Sequence, residues 1–128
     1  MKLVFLISLP RSGSTWVQRE LMHWDAVASA PETWFLLPYV SGARSHLSLS
    51  HYNMLLYDVA RTEVARRINL TEVERNILAS VGEIFYQELS QDHPIFLEKT
   101  PRYSLILPEL LAAFPDSDFI LLWRDPVD

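Results

Sequence analysis

The hydrophobic pattern opens with five apolar residues in succession, Leu3 to Ile7. An unbroken run of that length is the signature of a strand buried on both faces, as in a parallel sheet. Val17, Leu21 and Trp24 then recur at three- and four-residue spacing, which predicts a helix directly after it. Ala26 to Ala30 is read as a short second strand, and Pro31-Glu32-Thr33-Trp34-Phe35 as the opening of a turn, with proline where helices accept it. Val40 to His51 is rich in Ser, Gly, Arg and His and reads as a surface loop. Two helices follow. Leu55, Leu56 and Val59, with Val64 and Ile68 more loosely, share one side of the first. In the second, Thr71 with Glu74 three residues on forms a capping box, and Ile77, Leu78, Val81, Ile84, Phe85 and Leu89 make an apolar stripe. The pair predicts a helical cover on the sheet at about residues 53–90. Ile95 to Leu97 is the next strand, a helix is expected from about Tyr103 to Phe114, and Phe119 to Trp123 completes the pattern as a strand.

Strands alternating with helices imply an α/β fold with a parallel sheet. Ligands of such sheets bind at the carboxyl ends of the strands. The residues there are Pro10 to Thr15, Glu98 to Thr100, and Arg124-Asp125, all on one edge. The 128 residues suit a single domain, 1–128. Because Asp128 comes so soon after a strand-end motif, with no closing helix, the expectation is an incomplete domain, the N-terminal portion of a longer one.

Composition narrows the function classes. The apolar fraction of 49% suits a buried parallel sheet, and the net charge of −5 argues against a nucleic-acid partner, so any anion site must be local. There are no cysteines, which removes disulfides, thiolate metal sites and a cysteine nucleophile. The apolar N-terminal stretch is too short and too interrupted by Arg11, Arg19, Glu20 and Asp25 for a signal peptide, and no window reaches the ~20 apolar residues of a membrane span. A cytoplasmic location is therefore expected. His23, His46, His51 and His93 lack metal-ligand spacing, and the aromatic residues read as core and pocket wall.

The chemistry begins between the first strand and helix. A tight loop of small residues, Leu9-Pro10-Arg11-Ser12-Gly13-Ser14-Thr15, entering a helix directs backbone N–H groups and the positive end of the helix dipole at one point. Set against the nucleotide-binding pattern G-x-x-x-x-G-K-[ST], Gly13 takes the second glycine and Thr15 the final hydroxyl, but Ser8 replaces the first glycine and Ser14 the lysine. Arg11 offers a cation within the loop instead. The plainer alternative is a strand-to-helix turn with Ser12 or Ser14 as N-cap.

Arg11-Ser12-Gly13-Ser14-Thr15-Trp16 resembles the phosphosulfate-binding loop of sulfotransferases, which use 3′-phosphoadenosine 5′-phosphosulfate (PAPS) as donor. Glu98-Lys99-Thr100-Pro101-Arg102-Tyr103 is similar to the Glu-Lys-[ST]-Pro-x-Tyr of the carbohydrate branch, and Leu121-Leu122-Trp123-Arg124-Asp125-Pro126 agrees with the family's third motif. The resemblance implies a sulfotransferase version of the P-loop-like fold, with PAPS as co-substrate and no metal. It implies that Ser12, Gly13, Ser14 and Thr15 hold the 5′-phosphate, that Arg11 stabilises the leaving phosphate where the family usually has lysine, and that Arg124 holds the 3′-phosphate. The partner ligand of that phosphate, a serine, would lie beyond Asp128. Lys99 would sit close to the transferring group.

Cytosolic small-molecule sulfotransferases carry a catalytic histidine two residues after this lysine; here that position is Pro101. The remaining candidate base is Glu32, since Glu32-x-x-Phe35 resembles the Glu-x-x-Phe of carbohydrate and some bacterial members. Burial among Trp34, Phe35 and Tyr39 would raise its pKa enough to accept a proton. The alternative for Glu32 is a first-turn helix glutamate favoured by the dipole. The expected function is transfer of a sulfuryl group from PAPS to a hydroxyl or amine of a small-molecule, carbohydrate or lipid acceptor. The competing classes are a P-loop nucleotide kinase or NTPase and a non-catalytic nucleotide-binding module.

Overall fold

A computed structural model describes residues 1–40 and 54–125, with the side chain of residue 54 excepted. Its elements in chain order are β1 (Lys2–Ser8), α1 (Ser14–Leu21), β2 (Val27–Ser29), a 3₁₀ turn (Leu37–Val40), α2 (Met54–Ala65), α3 (Leu70–Ser90), β3 (Ile95–Glu98), a 3₁₀ helix (Pro101–Ile106), α4 (Leu107–Ala113) and β4 (Asp118–Leu122). The four strands form one sheet in the order β2-β3-β1-β4, and every pairing is parallel. The α/β fold with a parallel sheet is thus present, and all four strands end on the same edge.

Register follows from which side chains must be dry. Phe5 stands opposite Glu98 on β3 and Phe119 on β4, with Leu3 opposite Phe96. Successive residues of a strand face opposite sides. Leu3, Phe5 and Ile7 accordingly meet α3 and α4, where Phe5 packs edge-on to Tyr86, tilted to Phe114 and stacked on Phe119 at centroid separations of 6.1, 5.4 and 5.0 Å. Val4 faces the other way, toward Leu21 and Trp24 at the end of α1. Helices therefore lie on both faces of the central strand β1, which is why its sequence is an unbroken apolar run from Leu3 to Ile7.

Several boundaries depart from expectation, each for a local reason. The cap of α3 is Asn69, whose side chain accepts from Glu72 N (3.3 Å) while its Nδ2 donates to Glu72 Oε2 (3.1 Å). The reciprocal cap is real but starts two residues before Thr71. Glu74 is instead gripped at both carboxylate oxygens by Arg61 of α2 (2.7 Å each). The buried line of α3 is Leu78, Gly82, Tyr86 and Ser90, and Ile77 and Ile84 of the expected stripe point to solvent. Of the two covering helices, only α3 packs broadly; Leu55, Leu56 and Val59 on α2 are exposed, Leu55 by 73%. The helix expected from Tyr103 starts as 3₁₀, because Pro108 has no N–H to give to the Ser104 carbonyl four residues back. The loop expected from Val40 to His51 lies almost wholly outside the described residues.

Candidate active site

The loop after β1 is held by its own backbone. Arg11 has φ 62° and Gly13 φ 91°, two left-handed residues around Ser12. Arginine carries a Cβ, so its turn costs about 1–3 kcal/mol, and glycine accepts the second turn without that cost. Ser12 Oγ donates to Leu9 O (2.5 Å), closing the loop on itself. The N-cap of α1 is Gly13, with no side-chain cap. The alternative in which Ser12 or Ser14 caps the helix is therefore not what forms. The first-turn N–H groups, which include those of Ser14 and Thr15, are left to whatever binds there. A Cβ on Gly13 would meet nothing within 4 Å, so the space over the loop is open.

Lys99 rises into this region from the end of β3. Its side chain is only 5% exposed, and Nζ donates to Glu32 Oε1 (3.3 Å) and to Thr15 Oγ1 (3.4 Å). One ammonium group therefore joins the loop to the segment after β2. Glu32 is not buried among Trp34, Phe35 and Tyr39 as expected; its side chain is 38% exposed. The reason is that Phe35 turns away to stack on Phe85 at 3.7 Å, and Tyr39 packs on Phe35 rather than on the carboxylate. Nor does Glu32 lie in the first turn of a helix, since the next helical residue is Leu37.

Beneath the pair lies a polar cluster that the sequence did not disclose. Glu98, 2% exposed, accepts from Thr33 Oγ1 (2.8 Å) and Thr100 Oγ1 (2.7 Å). Thr33 N donates to Thr100 Oγ1 (3.0 Å), Thr33 Oγ1 lies 3.2 Å from Tyr103 Oη, and Leu36 N donates to that same phenol (2.9 Å). Burial pushes the Glu98 carboxyl up, and the hydroxyls of Thr100, Tyr86 and Thr33 with the Lys99 charge pull it part of the way back. Burial and the nearby carboxylate also raise the phenols of Tyr103 and Tyr86. Tyr86 Oη is enclosed beside the Glu98 carboxyl and the Tyr103 phenol, and Ser8 Oγ is enclosed without a hydrogen-bond partner among the described residues. On the α1 side, Gln18 Nε2 donates to Ser29 Oγ (2.6 Å) and Ala30 O (2.9 Å), which fixes the end of β2 against the loop's helix.

A cavity of about 640 Å³ opens at this edge, and Arg11, Gly13, Ser14, Thr15, Glu32 and Arg124 all line it. Lys99 reaches its wall from below, and Ser12 lines an adjoining depression with Arg11 and Arg124. The structure thus gathers residues from all four strand ends. Two further residues line the cavity: Trp34, read from the sequence as core or pocket wall, and Arg102, to which sequence reasoning gave no role. Trp34 has φ 56°, a rare conformation for an aromatic residue, and is 48% exposed. Arg102 occupies the variable position of its motif, which is why the motif was silent on it. Trp16, Trp24 and Trp123 are exposed as well, and the aromatic residues of the core are Phe and Tyr. His23 and His93 contact local carbonyls; His46 and His51 lie outside the described residues.

Three arginines and Lys99 stand at this edge against the carboxylates of Glu32, Asp125 and the buried Glu98, which tips it slightly positive in a chain of net charge −5. That is the electrostatics of a site for a polyanion. With the fold, it defines an α/β protein with a cation-lined cavity at its strand ends. The profile of the Sulfotransferase family matches residues 4–128, and the chain belongs to that family. It is also similar to the nodulation protein NoeE of Sinorhizobium fredii (strain NBRC 101917 / NGR234), 29% identical over 95% of this chain and 28% of that protein's length. The chain thus spans little more than a quarter of that curated relative. No solved structure matches it significantly. Among the described residues no helix is long and apolar enough to cross a membrane, and no group of side chains is arranged to hold a metal ion.

Proposed function

We propose that this chain forms the donor-binding part of a PAPS-dependent sulfotransferase that moves a sulfuryl group to a hydroxyl or amine of a small-molecule, carbohydrate or lipid acceptor. The observation that carries the reading is Lys99 Nζ between Thr15 and Glu32. It joins the proposed phosphate loop to the proposed base. PAPS fits what is present: the N–H groups at the start of α1 lack a cap, the space over Gly13 is open, and the cations are local.

In this reading Ser12 to Thr15 hold the 5′-phosphate through backbone N–H groups and the Thr15 hydroxyl. Arg124, across the cavity on the β4 side, holds the 3′-phosphate. Glu32 takes the proton from the acceptor as its oxygen or nitrogen bonds to sulfur. Lys99 and Arg11 stabilise the charge that collects on the bridging oxygen while the bond from sulfur to that oxygen breaks, leaving adenosine 3′,5′-bisphosphate. Arg11 acts as a fixed charge there, because a guanidinium does not give up its proton at neutral pH. Sheet order supports two sides for the two substrates: Arg124 follows β4, while Glu32, Trp34 and Arg102 follow β2 and β3. We assign the latter side to the acceptor.

A kinase or NTPase reading is disfavoured by Ser14, which is buried where the nucleotide-binding loop would place its phosphate lysine. Calorimetric titration separates the classes. Adenosine 3′,5′-bisphosphate should bind without magnesium and more tightly than ATP with magnesium, and the reverse order would overturn the assignment. Binding with no transfer to any acceptor in the full-length protein would leave a nucleotide-binding module.

A further inference from the structure

The proposed base and lysine do not hold each other in place unaided. Glu32 lies in an irregular segment, half open to solvent, and its contact with Lys99 is a single bond at 3.3 Å. An ion pair with one exposed partner contributes little and does not fix geometry by itself. What is fixed is the residue after Glu32. Thr33 is bound through both its N–H and its hydroxyl, to Thr100 and to Glu98. Glu98 and Thr100 are in turn the chain neighbours of Lys99, and all three are buried.

We propose that Glu98 is a positioning residue. Its carboxylate, bonded to Thr33 on one side and Thr100 on the other, sets Glu32 over Lys99 and so holds both against Thr15. The inference rests on the sulfotransferase reading for its functional meaning, but its geometry does not. A buried carboxylate is costly unless its acceptor positions are filled. A fold that needed only a well-packed strand end would place an apolar residue here. The two hydroxyls that satisfy Glu98 come from segments 67 residues apart in sequence, and they are the two that flank the proposed catalytic pair. Neither Glu98 nor Thr33 lines the cavity. They act through the backbone that carries Glu32 and Lys99.

The test needs no acceptor. Lysine side-chain and glutamate carboxyl resonances of the folded protein report the Glu32–Lys99 pair directly, and Glu32→Gln identifies the signal of an unpaired Lys99. Thr33→Val keeps the shape and removes the hydroxyl, and should move the Lys99 signal most of the way to its position in Glu32→Gln. Thr33→Ser restores the hydroxyl and should leave the signal where the parent has it. Glu98→Gln, which keeps size and one acceptor oxygen, should move it in the same direction by less. Adenosine 3′,5′-bisphosphate affinity, measured in parallel on the parent, reports the sulfotransferase reading separately: a parent that fails to bind it sinks that reading and leaves the positioning result standing. A folded Thr33→Val protein with an unmoved Lys99 signal overturns the proposal, as does a Thr33→Ser protein that behaves like Thr33→Val. So does a response to Thr33→Val with none to Glu98→Gln, which would give the positioning role to Tyr103.

Discussion

At the scale of the residue, charge decides more than shape. Arg11 is held in a left-handed turn at the mouth of a loop whose N–H groups are uncapped. Arg11→Ala removes the cation but keeps the Cβ and with it the strained turn, so folding stability should stay nearly unchanged while binding of adenosine 3′,5′-bisphosphate weakens by about 1.5–3 kcal/mol, the scale of a charge-assisted contact. Titration calorimetry beside a urea melt separates the two effects; unchanged affinity would remove Arg11 from the donor site. Arg124→Ala should weaken adenosine 3′,5′-bisphosphate but leave adenosine 5′-phosphate almost untouched, because only the former carries the 3′ group. Equal losses for both ligands would place Arg124 elsewhere. For Glu32 the measure is turnover: Glu32→Gln in the full-length protein should lower kcat by ~10²–10⁴-fold with donor affinity kept, the usual cost of a lost general base. An unaltered kcat would reassign the proton. The sequence reading brought Glu32 to notice through a short motif. The structure then gave it a different setting, paired to Lys99 and open to solvent rather than sealed among aromatic rings.

At the scale of the element, α3 carries the weight of the cover. Gly82 sits at its closest approach to the core, where an added Cβ would lie 2.4 Å from Phe114 Cζ and 2.8 Å from Cε1. Phe114 cannot swing freely, since it packs on Phe5. Alanine should gain up to about 1 kcal/mol of helix propensity and lose roughly 1–3 kcal/mol to overpacking, so a net loss near 1 kcal/mol is expected for Gly82→Ala in urea unfolding. A stabilised variant would show that the ring yields more easily than its packing implies. The helix periodicity was legible from sequence, but which residues of the stripe turn inward was not. Ile77 and Ile84 read as core by type alone, while a glycine occupies the buried line because Phe114 and Leu36 stand where its side chain would be. The misplaced cap has a similar cause. Thr71 and Asn69 both suit an N-cap and each has a glutamate three residues on, and only the position of α2, whose Arg61 takes Glu74, separates them.

At the scale of the molecule, the buried Glu98 links the site to stability. Its folded-state carboxyl is raised above the ordinary value of 4.5, so the native chain binds this proton more tightly than the unfolded chain. The stabilisation from that proton is fully present below about the ordinary value and is lost as pH rises through the raised one. Glu98→Gln mimics the protonated form. The stability difference between variant and parent should therefore shift in the variant's favour as pH rises from 4 toward neutrality. Urea midpoints across that range check it, and a difference that does not change with pH would mean that Glu98 ionises as freely as an exposed acid.

Local physics could be read along the chain because it is local. A five-residue apolar run makes a buried strand in any parallel sheet, and a small-residue loop into a helix makes an anion site wherever it occurs. The α/β architecture, the strand-end edge and the motif residues were legible for that reason. The order β2-β3-β1-β4 was not, because it depends on which strands pair across the sheet, and all four are similarly apolar. Nor were the Lys99–Glu32–Thr15 contact and the Glu98–Thr33–Thr100 cluster beneath it. Each joins segments about 65 or more residues apart, and no spacing along the chain records such a distance. Composition supplied the hydroxyls and carboxylates; only packing α1, the segment after β2 and the end of β3 around one strand edge decided which of them would meet.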